Sequence, residues 1–136
     1  MILFENSVMK LDYNPATDIL DVAYPDLHDY MLPEIKHSIN ILVDMIKSYD
    51  VKKLLLDSTR TVVAVSNAES RAVTVYLAGG IMQTRVQKVA RVESASKSVE
   101  AIAEGNIRHI RESQQLPFQL QNFTSKHEAV DWLIAR

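Results

Sequence analysis

Two short stretches carry the residue types that do chemistry. The first is Asp57-Ser58-Thr59-Arg60, which closes the apolar run "VKKLLLD", Val51 to Asp57. If that run is a strand of an open α/β sheet, these polar residues leave its carboxyl end, the edge where such sheets bind ligands. The second is Ser66-x-x-Glu69, a serine and a glutamate at the spacing of a reciprocal helix capping box. Asp57, Ser58, Arg60 and Ser66 therefore form the candidate regulatory or ligand-facing loop. Each has a plainer alternative. Asp57 and Ser58 can hydrogen-bond their own loop backbone, and no glycine-rich phosphate cradle accompanies them. Ser66 can act as a helix cap alone, worth about 1 kcal/mol. A phosphate on it would meet the positive end of a helix dipole, but also the charge of Glu69.

Other chemistries find less footing. Nucleophilic catalysis asks for a serine with an adjacent histidine and an orienting carboxylate, and no G-x-S-x-G elbow is present. Asp18, Asp21, Asp26, His28 and Asp29 make an acidic cluster, yet their spacing matches no calcium loop, and a solvated rim is the expectation. His28, His37, His109 and His127 sit in different predicted elements with no i, i+4 pair for zinc. The absence of cysteine removes disulfides, thiolate ligands and cysteine nucleophiles together. The expectation is a protein that is not an enzyme and uses no metal and no cofactor. Arg85, Lys88 and Arg91 read as a basic line beside Tyr76 and Met82 that could meet an acidic partner.

The 136 residues suit a single domain spanning 1–136. A formal charge of −2 suggests no basic nucleic-acid surface. No window approaches the roughly 18 apolar residues of a membrane span, and Met1 to Lys10 lacks the pattern of a signal peptide. Together with the missing cysteine, these features point to a soluble, cytoplasmic protein.

The elements that must position the loop follow from periodicity. Val8 to Leu11 and Ile19 to Tyr24 read as two strands of a hairpin around "DYNPATD", with Met1 to Phe4 extending the first. Leu32, Ile35, Ile39, Leu42, Val43, Ile46 and Tyr49 recur at helical spacing, and Pro33 suits the first turn. Leu54-Leu55-Leu56 suits a strand covered on both faces. A second helix is predicted from Asn67 to about Met82, with Ala68, Ala72, Val75 and Tyr76 inward and Gly79-Gly80 weakening its end. A strand follows over Gln87 to Glu93. A third helix then runs from Ser98 to Ser113, with Val99, Ile102, Ala103, Asn106 and Ile110 on one stripe. "PFQLQNF" supplies a last strand, and Ser125-x-x-Glu128 caps a closing helix with Ala129, Trp132 and Leu133. The predicted order is β-β-α-β-α-β-α-β-α, an α/β fold with a mixed sheet and packed helices.

"LLLDSTR", as a central strand leaving into a loop and helix, and "FTSKHEAVDWL", as a terminal phenylalanine, capped helix and Ala-x-x-Trp-Leu, give the chain a family likeness. In element order, length and ending it resembles the STAS (anti-sigma-factor antagonist) domains. The resemblance implies a non-enzymatic module that regulates through a protein partner. In regulatory members a phosphorylatable serine follows an Asp-Ser-Ser-Gly type turn after this strand; the nearest position here is Ser66, in "AVSNAES", without the aspartate or the glycine. A homodimer is a reasonable expectation, with Ile41 and Met45, off the main stripe of the first helix, in its patch. The alternative function is a carrier of a small apolar ligand or lipid, of the kind related CRAL-TRIO architectures form. A large apolar pocket beneath the second helix marks the carrier. A filled core with a conspicuous exposed patch marks the interaction module.

Overall fold

The computed structural model describes residues 1–23, 27–28, 32–59, 61 and 63–135. Tyr24, the acidic residues Asp26 and Asp29, and Arg60 of the candidate loop lie outside them.

The N-terminal residues form a strand of their own instead of extending the next one. β1 (Ile2–Glu5) ends where Asn6 turns the chain. The Asn6 Oδ1 accepts from the Val8 amide at 2.9 Å and the Met9 amide at 2.8 Å, an Asx turn. Val8 and Met9, expected in a strand, instead drop into the core, and β2 runs Lys10–Asn14. β2 pairs antiparallel with β3 (Ile19–Ala23) on one side and with β1 on the other. In the β2–β3 turn Asp18 adopts a left-handed φ of 58°, which aspartate tolerates better than most residues. Its carboxylate accepts from the Tyr13 hydroxyl at 2.8 Å and the Lys52 amide at 3.2 Å. Burial and that neighbouring carboxylate push the Tyr13 phenol up to about 12.

After the short strand β4 (Leu27–His28), helix α1 (Leu32–Tyr49) buries Ile35, Ile39, Leu42 and Ile46 along one stripe. Ser38 is buried with them because its Oγ accepts from Asn6 Nδ2 at 3.0 Å. Tyr49 leaves the stripe. It is exposed, with its ring tilted against that of Tyr13 at 5.6 Å. The helix closes in a Schellman motif: Val51 N–H donates to the Ile46 carbonyl, Asp50 N–H donates to that of Lys47, and Asp50 takes a φ of 51°. Val51 is fully buried beyond it.

β5 (Lys53–Asp57) lies between β3 and β7 (Lys88–Val92), parallel to both, and β8 (Gln119–Phe123) pairs parallel with β7. The six-stranded mixed sheet has the order β1-β2-β3-β5-β7-β8, and β4 pairs with β6 (Val63–Ala64) in a separate two-stranded sheet. Leu54, Leu55 and Leu56 are all buried, and the period of two along a strand sorts them. Leu54 and Leu56 face a large core with α1 and with Val73, Leu77 and Ile81 of α2 (Asn67–Met82). Leu55 faces a smaller one with Ala90, Val92, Ala129 and Leu133, the last two from α4 (Lys126–Ile134). The third helix, α3 (Lys97–Ser113), packs beside α2 on the first face. With β4 and β6 set aside, the chain is an α/β fold whose elements alternate as β-β-β-α-β-α-β-α-β-α. Among the described residues no helix is long and apolar enough to cross a membrane.

α2 has the predicted bounds but turns a different face inward. Ser70, Val73, Leu77, Ala78 and Ile81 are buried, whereas Ala68, Ala72, Val75 and Tyr76 are exposed. Apolar residues lie nearly all round this helix, so its sequence leaves the rotation about the axis to the packing. Gly79-Gly80 does not end it, and the two glycines differ in kind. A Cβ on Gly80 would lie 2.7 Å from Val43 Cγ2, so Gly80 lets α1 and α2 approach closely, while a Cβ on Gly79 meets nothing within 4 Å. Gly79→Ala is therefore expected to stabilise by about 0.5–1 kcal/mol through helix propensity. Gly80→Ala is expected to destabilise by roughly 1 kcal/mol or more through overpacking. Urea denaturation of both variants checks this, and equal shifts would show that the close approach is absent.

Candidate functional site

The alternation that sorts the leucines continues past β5 and divides the candidate loop. Asp57 shares the α4 face with Leu55, and Ser58 shares the α2 face with Leu54 and Leu56. Asp57 Oδ1 accepts from the Thr59 amide at 3.0 Å and the Thr59 hydroxyl at 2.6 Å, and Oδ2 lies 3.7 Å from Lys126 Nζ. Lys126 also meets Asp21 at 2.6 Å. Burial works against ionising Asp57, but the Thr59 bonds and Lys126 hold its carboxyl below the usual carboxylate range. Burial likewise opposes the Lys126 charge, and Asp21 and Asp57 overcome it, raising the ammonium above its ordinary value. Asp57 is thus a tie between the loop and α4.

Ser58 faces inward. It is 1% exposed, and its backbone is fully engaged: the N–H donates to the Val92 carbonyl and the carbonyl accepts from the Thr61 N–H, each at 3.1 Å. Its hydroxyl has no hydrogen-bond partner among the described residues. Ser58 lines a partly enclosed cavity of about 80 Å³ between the sheet, α2 and α3. Leu56, Val89, Phe118 and Leu120 floor it from the sheet side. Leu77, Ala78 and Ile81 of α2 and Ala103, Ile107 and Ile110 of α3 wall it.

Thr61 also lines the cavity and is not free, and the polar groups of Ser70, Thr74, Arg91 and Asn106 are committed within the protein. Ser70 Oγ accepts from Asn106 Nδ2 at 3.0 Å, a buried bond joining α2 to α3. Thr74 donates its hydroxyl to the Ser70 carbonyl. Arg91 does not belong to a basic surface line, because it is buried and held in a bidentate pair with Glu100 at 2.8 and 2.9 Å. Glu100 Oε1 also accepts from the Ser94 amide at 2.6 Å. Burial opposes the Glu100 charge, but Arg91 and that amide keep its carboxyl below the usual range. The remaining members of the expected basic line go separate ways. Lys88 donates to the carbonyls of Trp132 and Ala135, and Arg85 pairs with Asp50.

Ser66 is a cap. Its Oγ accepts from the Glu69 amide at 3.1 Å and donates to Glu69 Oε1 at 2.9 Å, and the reciprocal capping box is complete. Asp18 and Asp21 serve Tyr13, Lys52 and Lys126, and among the described residues no three His, Asp or Glu side chains converge on a metal-sized site. Met45 packs against the large core, and Ile41 is half-buried. Comparison of the chain with protein-family models, curated proteins and solved structures finds no match.

Ser58 stands out in the sequence, but its surroundings do not. The Ser70–Asn106 bond and the Arg91–Glu100 pair are not legible there, although Asn106 falling on the apolar stripe of α3 is the available signal.

The Arg91–Glu100 pair fixes the first turn of α3 to β7. Removing the carboxylate strands a guanidinium that is mostly buried, so Glu100→Ala is expected to cost about 3 kcal/mol. A depressed folded-state pKa stabilises above the ordinary carboxylate value and ceases to do so as pH falls through it. Wild-type stability is therefore expected to decline below about pH 4.5, with Glu100→Gln less stable at pH 7 and flatter over that range. Urea denaturation from pH 3 to 7 tests this, and parallel acid limbs for the two proteins would remove Glu100 from the account.

Proposed function

We propose that the chain is a non-enzymatic, STAS-like binding module whose cavity between α2 and α3 takes up the apolar part of a small molecule. The observation that carries this reading is the Ser58 hydroxyl, buried and, among the described residues, without a partner, on a residue that lines a largely apolar cavity. A buried polar atom without a partner is costly and uncommon in folded proteins, and a ligand supplies the missing partner. Binding is favoured over catalysis because, among the described residues, no base lies within hydrogen-bond reach of that hydroxyl to activate it. The element order from β5 onward supports the STAS-like part of the reading.

Size restricts the occupant. The cavity, about 80 Å³, is roughly half the volume of an engineered cavity that holds benzene, and far below the several hundred Å³ of a drug-sized pocket. It suits one end of a small molecule, with the remainder toward its open side, and not an enclosed lipid. A protein-partner surface has less support. Among the described residues the exposed large apolar side chains, Met1, Ile2, Tyr49, Val75, Tyr76 and Ile134, are spread over the N-terminus, α1, α2 and α4. The outward Tyr76 is itself engaged, donating to Asn40 Oδ1.

Toluene serves as the probe. At ten times its dissociation constant it should stabilise the protein by about 1.4 kcal/mol, and Ala103→Phe, which fills the cavity from α3, should abolish that gain. Thermal denaturation with and without toluene reads both, and an unmoved wild-type midpoint together with unmoved amide resonances for Ala78, Ala103 and Ile107 would reject the reading.

A further inference from the structure

The lining of this cavity also says what its ligand is, on the assumption that the binding reading above holds. Ser58 is immobilised at both ends of its peptide unit, by Val92 and by Thr61, so its hydroxyl is presented at a fixed place on the wall. Of the nearby polar side chains, Asn106 is spent on Ser70 and on Arg71 and Thr74 on a backbone carbonyl, and Thr61 is not free. Among the described residues Arg91 is the one charged side chain in the lining, and Glu100 neutralises it through two short bonds. An anion would have to compete with Glu100 for Arg91, and a cation meets no free carboxylate in the lining. An uncharged group capable of one hydrogen bond meets an open partner.

We infer that Ser58 is the specificity-determining residue of the cavity, and that it selects an uncharged ligand with a compact apolar body and a single hydrogen-bonding group such as a hydroxyl or carbonyl. The serine is then a site where stability in the empty protein is given up for recognition. Replacing it with alanine removes an unpaired buried hydroxyl and nothing else of consequence to the core.

The experiment uses the intact chain with phenol, toluene and benzoate, three phenyl compounds that carry a hydroxyl, a methyl and a charged carboxylate. Affinities are measured by protein-observed NMR for wild type and Ser58→Ala. Losing one hydrogen bond is worth roughly tenfold in affinity, so the phenol-to-toluene affinity ratio should fall about tenfold in Ser58→Ala. Benzoate should bind neither protein. The midpoint of the empty Ser58→Ala protein should rise by about 3 °C. If phenol and toluene both bind and their ratio is the same in the two proteins, the cavity reading stands and the role of Ser58 falls. If neither binds either protein, both fall. Tight benzoate binding, or a lower midpoint for empty Ser58→Ala, overturns the inference by showing a free cation in the site or a hydroxyl already satisfied within the protein.

Discussion

Burial of β5 from both sides constrains everything around it. A strand with Leu54 and Leu56 on one face and Leu55 on the other has no solvent side, so helices must cover the sheet above and below. α1, α2 and α3 supply one cover and α4 the other. Backbone geometry then carries the same alternation one step past the strand, where it separates Asp57 from Ser58. The aspartate reaches the charged end of α4, and the serine faces the apolar layer. Neighbours in sequence end up in opposite environments for no reason beyond the pleat.

The apolar layer is shaped by polar devices at its margin. α3 is tied to the sheet by Arg91 and Glu100 and to α2 by Asn106 and Ser70. Both ties are satisfied within the protein, so they hold the helices at a spacing that leaves room above Val89 and Leu56 without offering charge to an occupant. Between α1 and α2 the opposite holds. Gly80 removes a side chain and lets the helices close on Val43. The same helix therefore packs tightly on one flank and loosely on the other, and the loose flank is where the orphaned hydroxyl lies.

Much of this was legible in the chain. The stripe of α1, the triple-leucine strand and the bounds of α2 follow from spacing alone, and the capping box at Ser66 is written in four residues. Errors fell where local pattern is ambiguous. The N-terminal strand was merged with its neighbour because the Asn6 turn consists of one side chain bonding two amides, with no glycine or proline to announce it. The inward face of α2 is not legible in its sequence because valine, tyrosine, leucine and alanine surround its axis, so the phase depends on what the helix meets. Arg91 reads as a surface residue in the sequence, which gives no hint that Glu100, nine positions on, returns to neutralise it.

Residue order by itself determined the α/β class, the central position of β5, the cap at Ser66 and the choice of Ser58 as a residue to inspect. These rest on periods of two and of three to four and on contacts within a few positions, which the chain carries locally. Only the tertiary structure decided that Asp57 is a tie, that Arg91 is neutral in effect and that Ser58, its hydroxyl without a partner among the described residues, lines a largely apolar cavity. Each of those depends on which distant side chain arrives within bonding distance, and that is set by how the helices pack on the sheet.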